Sequence, residues 1–306
     1  MQAHRWSARD VGLLGLTISA WGGNYLFVRV GLLSTGPLWL AALRATTGLA
    51  ALAVYFAFSA PAGALGRRAR WTALLIGVPN TAAFLGLWFT AAGQVPAGQA
   101  AVLIYTYPLW VALLSIPILR ARLTGGHWLA VGSGFLGILL VSQPWAGAAG
   151  ATPVVAVAEL LVAAVSWASA TVLVQRLFRP VEMKAANGYQ LLGGASVLLV
   201  LAVATGWNRP PSDVPSLWVS VVWLGVFGTA FAYAVWFELL GKVPAATLSA
   251  YAFLVPLVAL AASAVVFGER LDPYQLTGVA LVLAAIYGVS RAGAPRPLPR
   301  AAVDGR

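Results

Sequence analysis

The chain has 306 residues, 60% of them hydrophobic and 9% charged, with a mean hydropathy of +0.85, where an ordinary soluble domain carries roughly 25% charged residues. Nineteen basic and eight acidic side chains are too few to cover the outside of a water-soluble fold of this length, so the composition excludes one and points to a bilayer as the solvent. The net charge of +11 sits at the ends of apolar runs rather than along a surface stripe.

Ten runs have the length of a membrane-crossing helix, about 20 apolar residues each. They extend from Val11 to Leu33, Pro37 to Ser59, Trp71 to Gly93, Ala97 to Leu119 and His127 to Trp145, then from Pro153 to Gln175, Ala185 to Thr205, Leu217 to Leu240, Ala245 to Phe267 and Pro273 to Ser290. All are too long for barrel strands, which need about 10 residues of alternating polarity. The first run is too long for a signal peptide, contains Arg29 and has no clear small-residue cleavage site after it, so it is expected to be retained.

Alternating the connections places fifteen of the nineteen Lys and Arg residues on one side, Arg5, Arg9, Arg67, Arg120, Arg179 and Lys242 among them, and only Arg209 and Arg270 on the other. The positive-inside rule then puts both termini in the cytoplasm. Such a topological charge needs no nucleic-acid partner, and no aromatic-basic surface motif accompanies it. The residues from 293 to 306, rich in Pro, Gly and Arg, read as a disordered basic tail. With no Cys, and His4 and His127 as the only histidines, thiol, disulfide and zinc chemistry are not expected, nor is any cofactor or metal.

A shift of 148 positions aligns Trp71 to Ser142 with Val219 to Ser290 without a gap. Gly77, Val78, Thr81, Trp88 and Phe89 meet Gly225, Val226, Thr229, Trp236 and Phe237, and Pro96 and Pro108 meet Pro244 and Pro256. Upstream, at an offset of 146, Ala20-Trp21-Gly22 meets Ser166-Trp167-Ala168. Each half then holds five helices, residues 1–150 and 151–292. Because five is odd, the second half enters the membrane the other way up, which is inverted-repeat architecture. Two similar halves can exchange conformations and open a central site to either side in turn, so transport by alternating access is the expected function; the alternative is a duplicated scaffold that merely packs.

Trp21-Gly22-Gly23-Asn24-Tyr25, Val28-Arg29-Val30-Gly31, Pro37 and Leu43-Arg44-Ala45 resemble the opening of an EamA-type member of the drug/metabolite transporter superfamily. The helices of Pro108 and Pro256, and Gly268-Glu269-Arg270-Leu271, resemble the close of each EamA repeat. The resemblance covers nearly the whole chain. It implies an all-α, ten-helix, 5+5 inverted-repeat transporter of the bacterial inner membrane that exports small metabolites. The aromatic-rich character is most similar to YddG-type exporters of aromatic and other neutral amino acids. The first half departs from the pattern, since Arg120-Ala121-Arg122 stands where the second half has Gly-Glu-Arg, so Glu269 has no counterpart.

Polar, aromatic and helix-breaking residues inside the runs are the site candidates. Pro79 removes a backbone hydrogen bond and Asn80 places an amide at membrane depth, where it needs a partner or a wet cavity. Phe84 lies four residues on, on the same helical stripe, followed by Trp88, for which packing or interfacial anchoring is the competing role. Trp21, Asn24 and Tyr25 share one face of the first run; Trp167 and Thr171 share one of the sixth. Two aromatics facing each other across a pseudo-twofold axis can clamp an apolar side chain while Asn24 and Thr171 bond its polar head; close helix packing through Gly22 and Gly23 is the other reading. Tyr105 and Tyr107 precede Pro108, and Tyr251 precedes Pro256, where freed carbonyls permit bending and suit a gate. Gln99 and Tyr233 are further polar candidates.

Arg44 lies about 10 Å along the second run and reaches either the interface or a cavity, where it can contact an anion. For Arg29, Glu159 and Glu238, nearer the helix ends, snorkelling or pairing is expected. No carboxylate sits at the centre of a run, so uncoupled or weakly coupled transport is expected, and efflux of aromatic cations is the rival reading. A membrane enzyme would need a nucleophile, metal ligands or an acid–base pair at depth, and none is present. The expected partners are a small-molecule substrate and the lipid bilayer, with a monomer as the working unit.

Overall fold

The computed structural model describes residues 7–59, 63–122, 124–142, 153–205, 209–242, 245, 248, 251–252, 254–268, 270–291 and 296–297. Helices with described bounds are, in chain order, α1 (Ala8–Leu32), α2 (Pro37–Phe58), α3 (Arg67–Ala92), α4 (Ala97–Leu119), α5 (Gly125–Ser142), α6 (Val154–Leu177), α7 (Pro180–Thr205), α8 (Pro215–Leu240), α9 (Leu254–Phe267) and α10 (Pro273–Arg291). Among the described residues, seven of these, α1 to α4 and α6 to α8, are long and apolar enough to cross a membrane, and the described apolar stretches of the other three, Gly125–Val141, Leu254–Phe267 and Pro273–Ala285, are shorter. A two-residue antiparallel pairing of Ala121–Arg122 with Arg296–Pro297 is the extended structure among the described residues.

Local chemistry sets the helix ends. Ser7 caps α1 reciprocally with Asp10, satisfying amide protons that would otherwise be orphaned in the first turn. Pro37 and Pro215 occupy the first positions of α2 and α8, where the missing N–H costs nothing. The apolar run alone places the start of the seventh helix at Ala185; the structure starts it at Pro180, because its first turn is polar and carries Glu182 and Lys184.

Two helices widen into π turns, at Val78–Ala83 in α3 and Trp223–Phe231 in α8. In α3 the turn contains Pro79, which cannot donate the usual bond. In α8 the Thr229 hydroxyl bonds back to the Leu224 carbonyl, five residues earlier. π turns leave carbonyls and side chains out of the regular ladder and recur at functional sites. A third interruption lies in α4, where helical structure lapses at Tyr105–Thr106 before Pro108.

Packing brings α2 and α3 against α7, α2 against the π turn of α8, α4 against α6, α1 against α9, and α5 against α10. Two of these crossings need glycine. A Cβ on Gly48 of α2 would lie 3.1 Å from the Gly225 carbonyl oxygen of α8, and one on Gly77 of α3 would lie 2.9 Å from the Gly194 amide nitrogen of α7. Large apolar side chains such as Phe58, Leu129 and Val265 face outward, as a lipid-facing surface requires.

Candidate functional site

The interior holds a continuous cluster of rings. Trp21 of α1 meets Trp167 of α6 edge to face, with centroids 5.4 Å apart, and lies 5.0 Å from Trp236 of α8. Tyr107 of α4 stacks on Trp167 at 3.9 Å, and Phe84 of α3 stacks on its flank at 5.1 Å. Tyr25 packs on Trp88 at 4.9 Å, with Tyr105 at 6.5 Å beyond it. These rings are almost fully buried.

A cavity of about 10 Å³ remains at the centre, lined by Trp21, Asn24, Tyr25, Arg44, Trp167 and Tyr233 together with Phe84, Trp88 and Tyr105. That is room for about one water, so the conformation is closed around its centre. Thr171 turns inward from α6 but is already committed: its hydroxyl donates to the Trp167 carbonyl and accepts from the Tyr107 phenol at 3.1 Å. Asn24 is not committed in this way, since its Oδ1 is buried without a partner, as are the hydroxyls of Tyr25 and Tyr233.

Arg44 points inward and is 1% exposed. Its Nε donates to Thr229 Oγ1 at 3.0 Å and its Nη2 to the Gly228 carbonyl at 3.1 Å, both in the π turn of α8. The guanidinium lies over the Trp88 ring, 5.1 Å from its centroid, and 5.7 Å from that of Phe89. Trp21 Nε1 donates to the same Gly228 carbonyl at 3.2 Å.

Larger cavities lie outside the cluster, two of them as follows. One of about 630 Å³ lies near the α1–α2 connection, with Arg29, Arg209, Phe89 and Gln94 in its wall. The other, of about 420 Å³, lies between α2, the start of α3 and α7, lined by Leu52, Phe56, Arg70 and Tyr189. Neither shares a lining residue with the central cavity; Phe89, in the wall of the first, lies 5.7 Å from the Arg44 guanidinium.

Both ends of the bundle are tied. At one, Lys242 donates to Asp10 at 2.8 Å and to Glu238 at 3.1 Å, while Lys184 and Arg9 also reach Glu238, at 2.9 and 3.2 Å. Hydrogen bonding to the Asp10 carboxylate is the main influence raising the Lys242 ammonium above its ordinary pKa, and Glu238 adds to it. At the other end the Arg209 carbonyl accepts from the Gly36 amide at 2.9 Å, the Ser34 carbonyl accepts from Ser212, and the Arg209 guanidinium donates to the Leu32 carbonyl.

Several sequence-derived candidates therefore meet at one place: Trp21, Asn24, Tyr25, Phe84, Tyr105 and Trp167, with Arg44 beside them. Asn80 is buried in the π turn of α3 with Nδ2 unpartnered, away from the cavity lining. Pro108 is buried just after the interruption of α4, and Pro256 near the start of α9. Tyr251 is 37% exposed and is not brought to the cluster. Trp21 and Trp167 face each other in direct contact, with no side chain between them. Arg44 takes the inward of its two open directions. Glu238 is paired as expected, Arg29 lies over Phe267 at 4.1 Å, and Glu159 Oε2 is buried without a partner. Glu269, Val243, Pro244 and Trp145 lie outside the described residues. Sequence reasoning misses Trp236, Gly228 and Thr229 as residues of the site; the repeat that pairs Trp236 with Trp88 carries the available signal.

Comparison with known proteins agrees with this fold. The EamA-like transporter family matches residues 11–143 and 155–291. An uncharacterized transporter of Synechocystis sp. is 29% identical, covering 90% of this chain and 89% of its own. The inner membrane transporter YedA of Escherichia coli is 27% identical over 87% of this chain and 85% of its own, and the protein PecM of Dickeya dadantii is 32% identical over 71% and 72%. One crystal structure, 18% identical, superposes with a TM-score of 0.69 over 92% of this chain and 98% of that one, which is a likeness of fold. The chain belongs to the EamA-like transporter family and is a multi-pass membrane transporter, not an enzyme.

Proposed function

We propose that the protein exports aromatic and other neutral amino acids across the bacterial inner membrane by alternating access, with little or no ion coupling. The observation that carries this reading is the buried ring cluster closed around a cavity of about 10 Å³. Rings from α1, α3, α4, α6 and α8 meet there, so substrate must part them to enter, and an apolar side chain of similar size can pack on each ring as the rings now pack on one another.

Two inverted five-helix repeats, residues 1–150 and 151–292, with both termini cytoplasmic, make up the proposed architecture. Contacts between helices support it. Under the offsets of 146 and 148, the Gly48–Gly225 crossing exchanges with Gly77–Gly194, and packing of α4 on α6 exchanges with packing of α1 on α9. The π turn of α3 likewise exchanges with that of α8. Ties at both ends fit a carrier caught between its two open forms: ion pairs among Asp10, Glu238, Lys184 and Lys242 on the proposed cytoplasmic side, backbone bonds between residues 34–36 and 209–212 on the other. Pro108 and Pro256 are the proposed bending points of α4 and α9, and Asn80 and Tyr251 are kept as residues of the pathway in the open forms.

The test is counterflow. Purified protein in liposomes is preloaded with single unlabelled amino acids and supplied outside with labelled phenylalanine at equal pH on both sides. Accumulation driven by neutral amino acids is the expected result. Its absence, with flux of aromatic cations instead, would replace the reading with drug efflux.

A further inference from the structure

The central cavity is unevenly furnished. Of the buried side-chain polar atoms around it that lack a hydrogen-bond partner among the described residues, Arg44 Nη1 and Trp88 Nε1 are donors only, and the hydroxyls of Tyr25 and Tyr233 are free to donate; Asn24 Oδ1 is the one pure acceptor of this set. No Asp or Glu lines the cavity among the described residues. Arg44 is thus a buried cation whose neighbours are a hydroxyl, a carbonyl and two ring faces, all neutral. A buried charge is costly unless an opposite charge joins it. The guanidinium is held rigidly at Nε and Nη2 by the π turn, which leaves Nη1 in place for a ligand.

Resting on the reading of the cavity as the substrate site, we propose that it selects its substrate by a carboxylate, which Arg44 Nη1 binds together with the hydroxyls of Tyr25 and Tyr233, while the amino group is not required. A carboxylate has about four acceptor positions, enough for these three donors. Among these side chains an ammonium finds Asn24 Oδ1 as its one dedicated acceptor and meets Arg44 as a like charge in a medium that screens poorly. The site therefore takes arylalkyl carboxylates as a class, amino acids among them, and discriminates against amines that carry the same ring. Arg44 is in this sense the specificity-determining residue.

The test uses three probes that share a phenethyl body: 3-phenylpropionate (anion), 3-phenylpropionamide (neutral) and phenethylamine (cation). Binding to the purified intact protein is read by quenching of the tryptophan cluster, alongside the phenylalanine counterflow assay. The carboxylate is expected to bind at least about tenfold more tightly than the amide or the amine, the scale of one charge-assisted hydrogen bond. That preference is expected to disappear in Arg44→Gln. Equal or tighter binding of phenethylamine, or a preference that survives Arg44→Gln, overturns the proposal. The wild-type comparison decides even if Arg44→Gln does not fold, and Tyr233→Phe, which keeps the ring and removes one donor, is expected to weaken carboxylate binding severalfold. Phenylalanine flux without a carboxylate preference would sink this inference and leave the function standing. A carboxylate preference without phenylalanine flux would do the reverse, and absence of both removes both.

Discussion

Trp21 and Arg44, on different helices, donate to one and the same atom: the Gly228 carbonyl oxygen, at 3.2 Å from the indole Nε1 and 3.1 Å from the guanidinium Nη2. The ring that closes the cavity and the cation beside it are thus registered through a single peptide of the α8 π turn. Movement of that turn shifts both together, which gives α8 a direct grip on the central site.

Gly228 itself is accordingly sensitive. A Cβ there would fall on the Asn24 side-chain oxygen and lie 2.7 Å from its Nδ2. Gly228→Ala is expected to displace Asn24, and overpacking of this kind costs about 1–3 kcal/mol. The expected result is a lower melting temperature in detergent and much reduced flux. Gly86→Ala is the matched control, because its Cβ would meet Leu198 and Leu38 at an ordinary 3.7 Å; melting at or slightly above the wild-type value is expected there.

Trp21 and Trp167 pack edge to face at 5.4 Å, and Tyr107 stacks on Trp167. If these rings hold the substrate body, Trp21→Ala combined with Trp167→Ala abolishes phenylalanine counterflow in protein that still elutes as a single monodisperse species. Single variants that each lose part of the flux, non-additively, are expected from rings that share contacts. Unchanged flux in the double variant would mean that the cluster only packs.

Much of the helical layout is legible in the sequence because a crossing helix needs a long apolar run, and chain composition records that directly. Helix ends are less so: the first turn of α7 holds Glu182 and Lys184, which dilute the apolar signal without stopping the helix. Among site residues, Trp21, Tyr25 and Phe84 can be read from helical spacing, since residues three or four apart share a face whatever the tertiary fold. Which face turns inward is a property of packing, and the sequence pattern does not show that Tyr251, unlike Tyr105 and Tyr107, is left 37% exposed in this conformation. Arg44 shows the same gap, for depth along α2 says nothing of direction. Trp88 and Trp236 are open to reading as interfacial anchors because tryptophan near a helix end commonly is one; their burial comes from ring contacts with Tyr25 and Phe84 and with Trp21 and Trp167.

The ion-paired end offers a direct test of gating. The chain contains no cysteine, so Asp10→Cys combined with Lys242→Cys introduces the only two thiols. A short reductant-cleavable thiol crosslinker is expected to join α1 to the end of α8, stop counterflow, and release it again on reduction. Flux that persists in quantitatively crosslinked protein would show that this end does not open during transport.

Lys242 also predicts a pH dependence at that end. Its ammonium is held above the ordinary lysine value of 10.5, chiefly by hydrogen bonding to Asp10 and secondarily to Glu238. A group whose folded-state pKa is raised stabilises the fold fully below its unfolded value, and the contribution is lost as pH rises through the folded value. The wild type is therefore expected to melt above a Lys242→Met variant by a gap that stays constant from about pH 7 to 10 and closes only as pH rises beyond about 10.5. The side chain is about one-third exposed, at 32%, so solvent and salt screen the pair and the gap should narrow in high salt. A gap that already closes below about pH 9 would point to a different titrating group and remove Lys242 as its source.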